Sequence, residues 1–204
     1  MLFVAINVPG GSNNDQDIWY KAPTMGVAQS QDVAERTAAD VRWLDTALFL
    51  ARLLRVNAVV IQVQADMWDL DGTAAGALGQ GAPHLSGYEG VIAAIADGAR
   101  AFRKSVLLFN GDSHGFRSDN PRQQGAPCFA EPASGQPAAV CTEDDWLQHP
   151  FYDVPNFHRV TVHGSTFPLE WLKVRIDARR NAPAGADAFG PFSWQRMIQP
   201  APTP

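Results

Sequence analysis

The stretch Val106-Leu107-Leu108-Phe109-Asn110-Gly111-Asp112-Ser113-His114 decides the fold. A short apolar run of this kind predicts a buried β-strand, and it empties directly into a glycine turn that carries a carboxylate and an imidazole. Open α/β sheets place ligands and chemistry in the crevice beyond the carboxyl ends of their strands. Asp112 and His114, two apart on one turn, form a candidate cation site, with Gly111 allowing the sharp bend.

The segments before this strand set its context. Leu2 to Val8 reads as a first strand, closed by the turn-forming run Pro9-Gly10-Gly11-Ser12-Asn13-Asn14. Between Asp32 and Arg55, apolar residues at Val33, Val41, Leu44, Leu48, Ala51 and Leu54 mark one face of a helix, with Asp32 as its expected N-cap and Glu35 completing a capping box. Asn57 to Val63 predicts a second buried strand, leaving through Gln64, Ala65, Asp66, Met67, Trp68 and Asp69. Tyr88 to Arg103 predicts a second amphipathic helix with Val91, Ile92, Ile95, Ala99 and Phe102 inward. The order strand, helix, strand, helix, strand predicts a layered α/β fold.

Downstream, the texture changes. Residues 117–155 are rich in Gly, Pro and polar side chains and read as a long loop. Asn156 to His163 and Leu169 to Ile176 alternate like antiparallel strands, Phe192 to Met197 adds a third, and residues 200–204 form a Pro-rich tail. One domain over residues 1–199 is expected, as 204 residues suffice to bury a single core.

Composition excludes several classes. With 46% hydrophobic and 18% charged residues, the chain is neither disordered nor membrane-embedded. No apolar run approaches the roughly 20 residues that span a bilayer. A net charge of −5 and the lack of any run of clustered Lys and Arg argue against a nucleic-acid partner. Cys128 and Cys141 flank a Pro/Gly/Ala-rich segment; either they close it as a disulfide, which implies an oxidising compartment, or they are unrelated thiols.

Six segments in order carry a family resemblance: Phe3–Asn14 (FVAINVPGGSNN), Val59–Trp68 (VVIQVQADMW), Val106–His114 (VLLFNGDSH), Phe116–Pro121, Pro155–Val160 and Trp171–Asp177. Their succession resembles the carboxy-terminal half of bacterial calcineurin-like metallophosphoesterases. The resemblance implies a sandwich of mixed β-sheets with flanking helices, half of an αββα fold, and a two-metal site at strand ends. In that superfamily a Gly-His-x-His turn closes the site, and Gly111, Asp112, Ser113 and His114 occupy the matching positions. His114 then falls on a metal-binding histidine, Asp112 replaces another, and Gln64 stands where a strand-end histidine is expected, with Asp66 beside it as a substitute ligand. The early motifs Asp-x-His, Gly-Asp-x-x-Asp and Gly-Asn-His would precede Met1, so the expected domain is incomplete at its amino end.

The expected function is therefore metal-dependent hydrolysis of a phosphate-ester small molecule. His114 and Asp112 serve as catalytic and metal-binding residues, Asp66 is a further ligand, and Asn13, Asn14 and His163 contact substrate. The expected cofactors are divalent ions, Mn, Fe or Zn. The competing expectation is a non-catalytic remnant or binding module that keeps the fold. Exposed sheet surface in a half-sandwich further predicts homo-oligomers. The compartment is cytoplasmic as the sequence stands, and periplasmic or secreted if an upstream leader is removed. Ser113 beside His114 makes no serine-nucleophile motif, lacking a Gly-x-Ser-x-Gly elbow.

Overall fold

A computed structural model describes residues 1–10, 13, 19, 21–68, 87–123, 125–142, 153–164 and 168–199. In chain order the elements are β1 (Leu2–Ala5), α1 (Val27–Leu53), β2 (Val59–Gln62), α2 (Glu89–Phe102), β3 (Val106–Asn110), β4 (Arg117–Asp119), β5 (Phe129–Ala130), β6 (Ala139–Val140), β7 (Phe157–Thr161), β8 (Glu170–Ile176), β9 (Ala188–Phe189) and β10 (Phe192–Ile198). A seven-stranded mixed sheet has the order β1-β2-β3-β7-β4-β5-β6, and a three-stranded antiparallel sheet has the order β8-β10-β9. The fold is α/β, as expected.

Strands β1, β2, β3 and β7 run parallel, and α1 and α2 make the connections between the first three. The side-chain period of two divides each central strand between two cores. Val59, Ile61, Val106 and Leu108 face the helices, meeting Leu44, Leu48, Val91, Ile92 and Ile95. Ala58, Val60, Leu107 and Val160 face the other way and meet Phe189, Phe192 and Trp194 of the small sheet. Burial on both faces explains why these strands read as unbroken apolar runs. The layers are therefore helices, seven-stranded sheet and three-stranded sheet. Gly98 brings the helices together, because a Cβ there would collide with Leu48 Cδ1.

Three details depart from the sequence expectations. Helix α1 starts at Val27 with Gly26 as N-cap, and Asp32 lies inside it, paired with Arg36 one turn on. Leu54 is exposed, since the helix has ended before it. Strand β7 pairs parallel with β3 rather than antiparallel, and only β4 reverses direction against it.

A fourth departure is residues 117–155, expected as one long loop: the chain makes the short strands β4, β5 and β6 there, and a Cys128–Cys141 disulfide closes the β5–β6 hairpin. A bridge spanning 13 residues contributes about 3 kcal/mol by restricting the unfolded chain. Among the described residues, no helix is long and apolar enough to cross a membrane.

Candidate functional site

The loops leaving β1, β2, β3 and β7 lie side by side at the carboxyl edge of the parallel strands, and backbone hydrogen bonds continue past the strand ends to join them. The Ala65 amide donates to Val8 O (3.1 Å), the Gly111 amide to Gln64 O (3.1 Å) and the Val162 amide to Asn110 O (2.8 Å). Sequence-nominated residues from two of these loops, those after β2 and β3, meet here in two tiers.

The lower tier is buried. Asp66 Oδ1 accepts from Arg159 Nη1 (2.5 Å) and the Trp68 amide (3.1 Å), and Asp66 Oδ2 accepts from Ser113 Oγ (3.0 Å), with Thr161 Oγ1 at 3.3 Å. Arg159 uses its remaining face on Asp119, Nε to Oδ1 at 2.8 Å and Nη2 to Oδ2 at 2.7 Å. Burial works against the Asp119 charge, but the Arg159 guanidinium, its hydrogen bonds and Arg117 outweigh it and hold the carboxyl below its ordinary range. Two carboxylates sharing one guanidinium make a strut between β2, β4 and β7. Asp66 thus has four hydrogen-bonding neighbours, and coordinating a metal would require breaking its pair with Arg159.

The upper tier is the turn itself. Asp112 and His114 both adopt left-handed backbone angles, φ 78° and 59°, which non-glycine residues rarely hold without local support. Ser113 between them supplies that support by donating down to Asp66. The two flanking side chains are exposed above it. Asp112 Oδ1 accepts from Gln64 Nε2 (2.8 Å), and Gln64 Oε1 accepts in turn from the Gly10 amide (2.8 Å). Gly10 leaves room for this approach, since a Cβ there would lie 2.6 Å from Asp112 Oδ2 and displace the carboxylate. Gln64 is thus a bracket that orients the carboxylate.

His114 Nδ1 lies 3.0 Å from Gly164 O. A carbonyl oxygen only accepts, so Nδ1 carries the hydrogen, and in the neutral ring Nε2 keeps its lone pair. Metal-binding histidines are oriented by the same kind of bond from the second nitrogen.

The remaining nominated residues lie elsewhere. Asn13 is buried and ties its loop to α1, with Nδ2 donating to Thr37 Oγ1 (2.8 Å) and Gly87 O (3.1 Å) and Oδ1 accepting from Arg36. Asn14 lies outside the described residues, as does Asp69 of the loop after β2. His163 is buried, with Nδ1 2.5 Å from Glu131 Oε1.

That contact belongs to a cluster the sequence did not disclose. Ligand atoms of Glu131, His163 and Glu170 lie within 4.8 Å of one another, and among the described residues this is the one such trio of His, Cys, Asp or Glu; neither His114, Asp112 nor Asp66 belongs to it. Arg196 already bridges the two carboxylates, donating from Nη2 to Glu131 and to Glu170 Oε2 (2.7 Å) and from Nε to Glu170 Oε1 (2.9 Å). Burial opposes the Glu131 charge, yet the His163 hydrogen bond, the Phe116 amide and Arg196 lower its pKa overall. The cluster therefore carries its own cation and clamps the small sheet to the β4–β5 region. Its members come from positions 131, 163, 170 and 196, and no local spacing links them.

A second polar group is equally hidden from sequence. His158 lies fully buried between the sheets, stacked on Phe189 at 5.0 Å and Trp194 at 5.8 Å. Ser118 Oγ donates to Gly185 O (2.8 Å), so it accepts from His158 Nε2 (2.9 Å), and Nδ1 has no protein partner. Desolvation is the main cause that lowers this histidine from 6.5 to about 4, which keeps it neutral.

Compared with known protein families, characterised proteins and solved structures, the chain matches none.

Proposed function

We propose that this chain is the carboxy-terminal portion of a metal-dependent phosphoester hydrolase, with His114 Nε2 and Asp112 Oδ2 as two donors to a divalent ion. One observation carries the reading: the His114–Gly164 hydrogen bond leaves a lone-pair nitrogen on an exposed turn at the carboxyl edge of the parallel strands. Imidazole and carboxylate together suit Mn, Fe or Zn. Such an ion polarises a phosphoryl oxygen and acidifies water.

The chain's own residues perform the positioning. Gln64 holds the Asp112 carboxylate, Ser113 anchors the turn on Asp66, and the Gly164 carbonyl fixes the imidazole plane. Two donors are fewer than a divalent ion requires, so the rest of the cage is supplied from beyond this pair. Asp66 is better suited to fixing the turn than to ligation, because Arg159 already holds it. A disulfide such as Cys128–Cys141 persists in oxidising compartments, which favours a periplasmic or secreted setting. Self-association is part of the same proposal. It is favoured by β1, an edge strand exposing Phe3, and by Trp43, Phe49 and Leu53 exposed on α1.

The test is hydrolysis of p-nitrophenyl phosphate and its bis ester with Mn²⁺. The proposal expects turnover that depends on metal and falls by about 100-fold in His114→Ala, the loss typical of a removed catalytic group. Turnover that is unaffected by His114→Ala contradicts it. The alternative, a binding module without chemistry, draws on the engagement of Gln64 and Asp66 in structural bonds. It expects metal or phosphate-ester binding without turnover.

A further inference from the structure

At the opposite edge of the parallel strands, where β2, β3 and β7 begin, lies a cavity of about 510 Å³. Its lining includes Arg103, Lys104, Arg179 and Arg180 and no acidic residue. Two segments far apart in sequence deliver these cations: the turn from α2 into β3 and the turn after β8. The clustering is therefore invisible in a chain whose net charge is −5.

The local structure fixes these positions. Arg103 is the C-cap of α2 in a left-handed conformation, φ 61°, its amide bonded to Ala99 O. Lys104 Nζ donates to two backbone carbonyls, Val56 O (2.8 Å) and Arg55 O (3.3 Å), which hold the ammonium without neutralising it. The Arg179 and Arg180 amides turn on Asp177, at 3.0 Å from its Oδ1 and its carbonyl oxygen respectively. Among the described residues, no ion pair engages any of these four side chains. Ser105, Asn57 and Asn181 add neutral polar groups to the lining, and Phe189 with Pro155 and Pro191 supplies apolar wall. Arg180 also lines a neighbouring cavity of about 340 Å³, where Lys173 and Arg175 are accompanied by Asp187, so the cavity free of carboxylates is the first.

We propose that this cavity is a binding site for the phosphoryl or pyrophosphoryl group of a small molecule. Like charges gathered in a concave site raise one another's energy, and a multiply charged anion relieves that cost while the concavity focuses the field. Guanidinium groups match phosphate oxygens in forked geometry. The volume lies within the roughly 300–1,000 Å³ of small-molecule sites. A nucleic-acid duplex instead needs an extended basic stripe, which four cations around one open pocket in an acidic chain do not provide. The site lies across the sheet from Asp112 and His114 and does not depend on the hydrolase proposal.

The experiment is calorimetric titration of the whole chain with inorganic pyrophosphate, in chelator so that no metal contributes. Parallel arms use orthophosphate, sulfate and a short DNA duplex. The proposal expects saturable one-to-one binding of pyrophosphate that weakens by about tenfold or more in Arg103→Gln/Arg180→Gln, as charge-assisted hydrogen bonds are lost. Both positions are exposed, and a thermal melt of the double variant confirms its fold. Arg52→Gln, exposed on α1, and His114→Ala should bind as the parent does. No saturable binding, equal affinity in the double variant, loss of binding in His114→Ala, or tighter capture of sulfate or the duplex than of pyrophosphate would each overturn it.

Discussion

Asp66 and Asp112 stand at similar places in the sequence, each just beyond the end of a buried parallel strand, yet the fold gives them opposite surroundings. Asp66 is buried against Arg159, a backbone amide and two hydroxyl groups. Asp112 is exposed, held on one oxygen by Gln64. The difference lies in what faces them: β7 brings a cation and a hydroxyl beneath the β2 loop, whereas Asp112 on the turn above meets the neutral Gln64 and Gly10. A carboxylate at a strand end is thus either a strut or a candidate ligand, and partners distant in sequence decide which.

The strut should break hardest. Arg159→Met leaves two buried carboxylates without their shared cation, and removing one partner of such a pair costs about 3–5 kcal/mol. Urea denaturation measures it. A loss under 1 kcal/mol would show that the lower tier does not hold the edge together.

Next is pH. His158 has a folded pKa near 4 against 6.5 when unfolded, so the unfolded chain takes up a proton that the native chain refuses. Its contribution is fully present above pH 6.5, is lost as pH falls toward 4 and is constant below that. The change is about 3 kcal/mol at 1.36 kcal/mol per pKa unit. Denaturation midpoints across this range should slope downward, and His158→Phe should flatten the slope. An unchanged slope in that variant contradicts the assignment. Asp119, whose folded pKa is lowered, adds a further loss only as pH drops below its ordinary value of 3.8.

Ser113→Ala tests the link between the tiers. Removing a donor to a buried carboxylate should cost about 1–3 kcal/mol and loosen the turn that presents Asp112 and His114, weakening Mn²⁺ binding as well. Smallest in stability is Asp112→Asn, an exposed change expected within about 0.5 kcal/mol while reducing Mn²⁺ affinity. A large stability loss there would make Asp112 a strut like Asp66.

The central strands and the face of α2 were legible because their signal is local: buried runs and a 3.6-residue period. Val106 to Phe109 is the clearest case, since each of its side chains meets one of two cores. The start of α1 was less so, because Gly26 begins the helix with no side-chain cap to mark it, and Asp32 imitates one from within. The turn after β3 was legible as a strand-end loop, and Asp112 and His114 are exposed on it. What sequence could not separate was Asp66 from Asp112, or foresee that Arg159, Glu131, Glu170, Arg196 and His158 form buried polar groups. Those groupings arise from strand order, and β7 inserted beside β3 brings His158 and Arg159 into the middle of the sheet.

The most direct test of the upper tier is pulsed electron paramagnetic resonance of Mn²⁺ bound to the chain. The account predicts coupling to one imidazole nitrogen, present in the parent and in His163→Gln and lost in His114→Ala. Nitrogen coupling that survives His114→Ala, or that disappears in His163→Gln instead, would contradict it and place the ion at the Glu131 cluster.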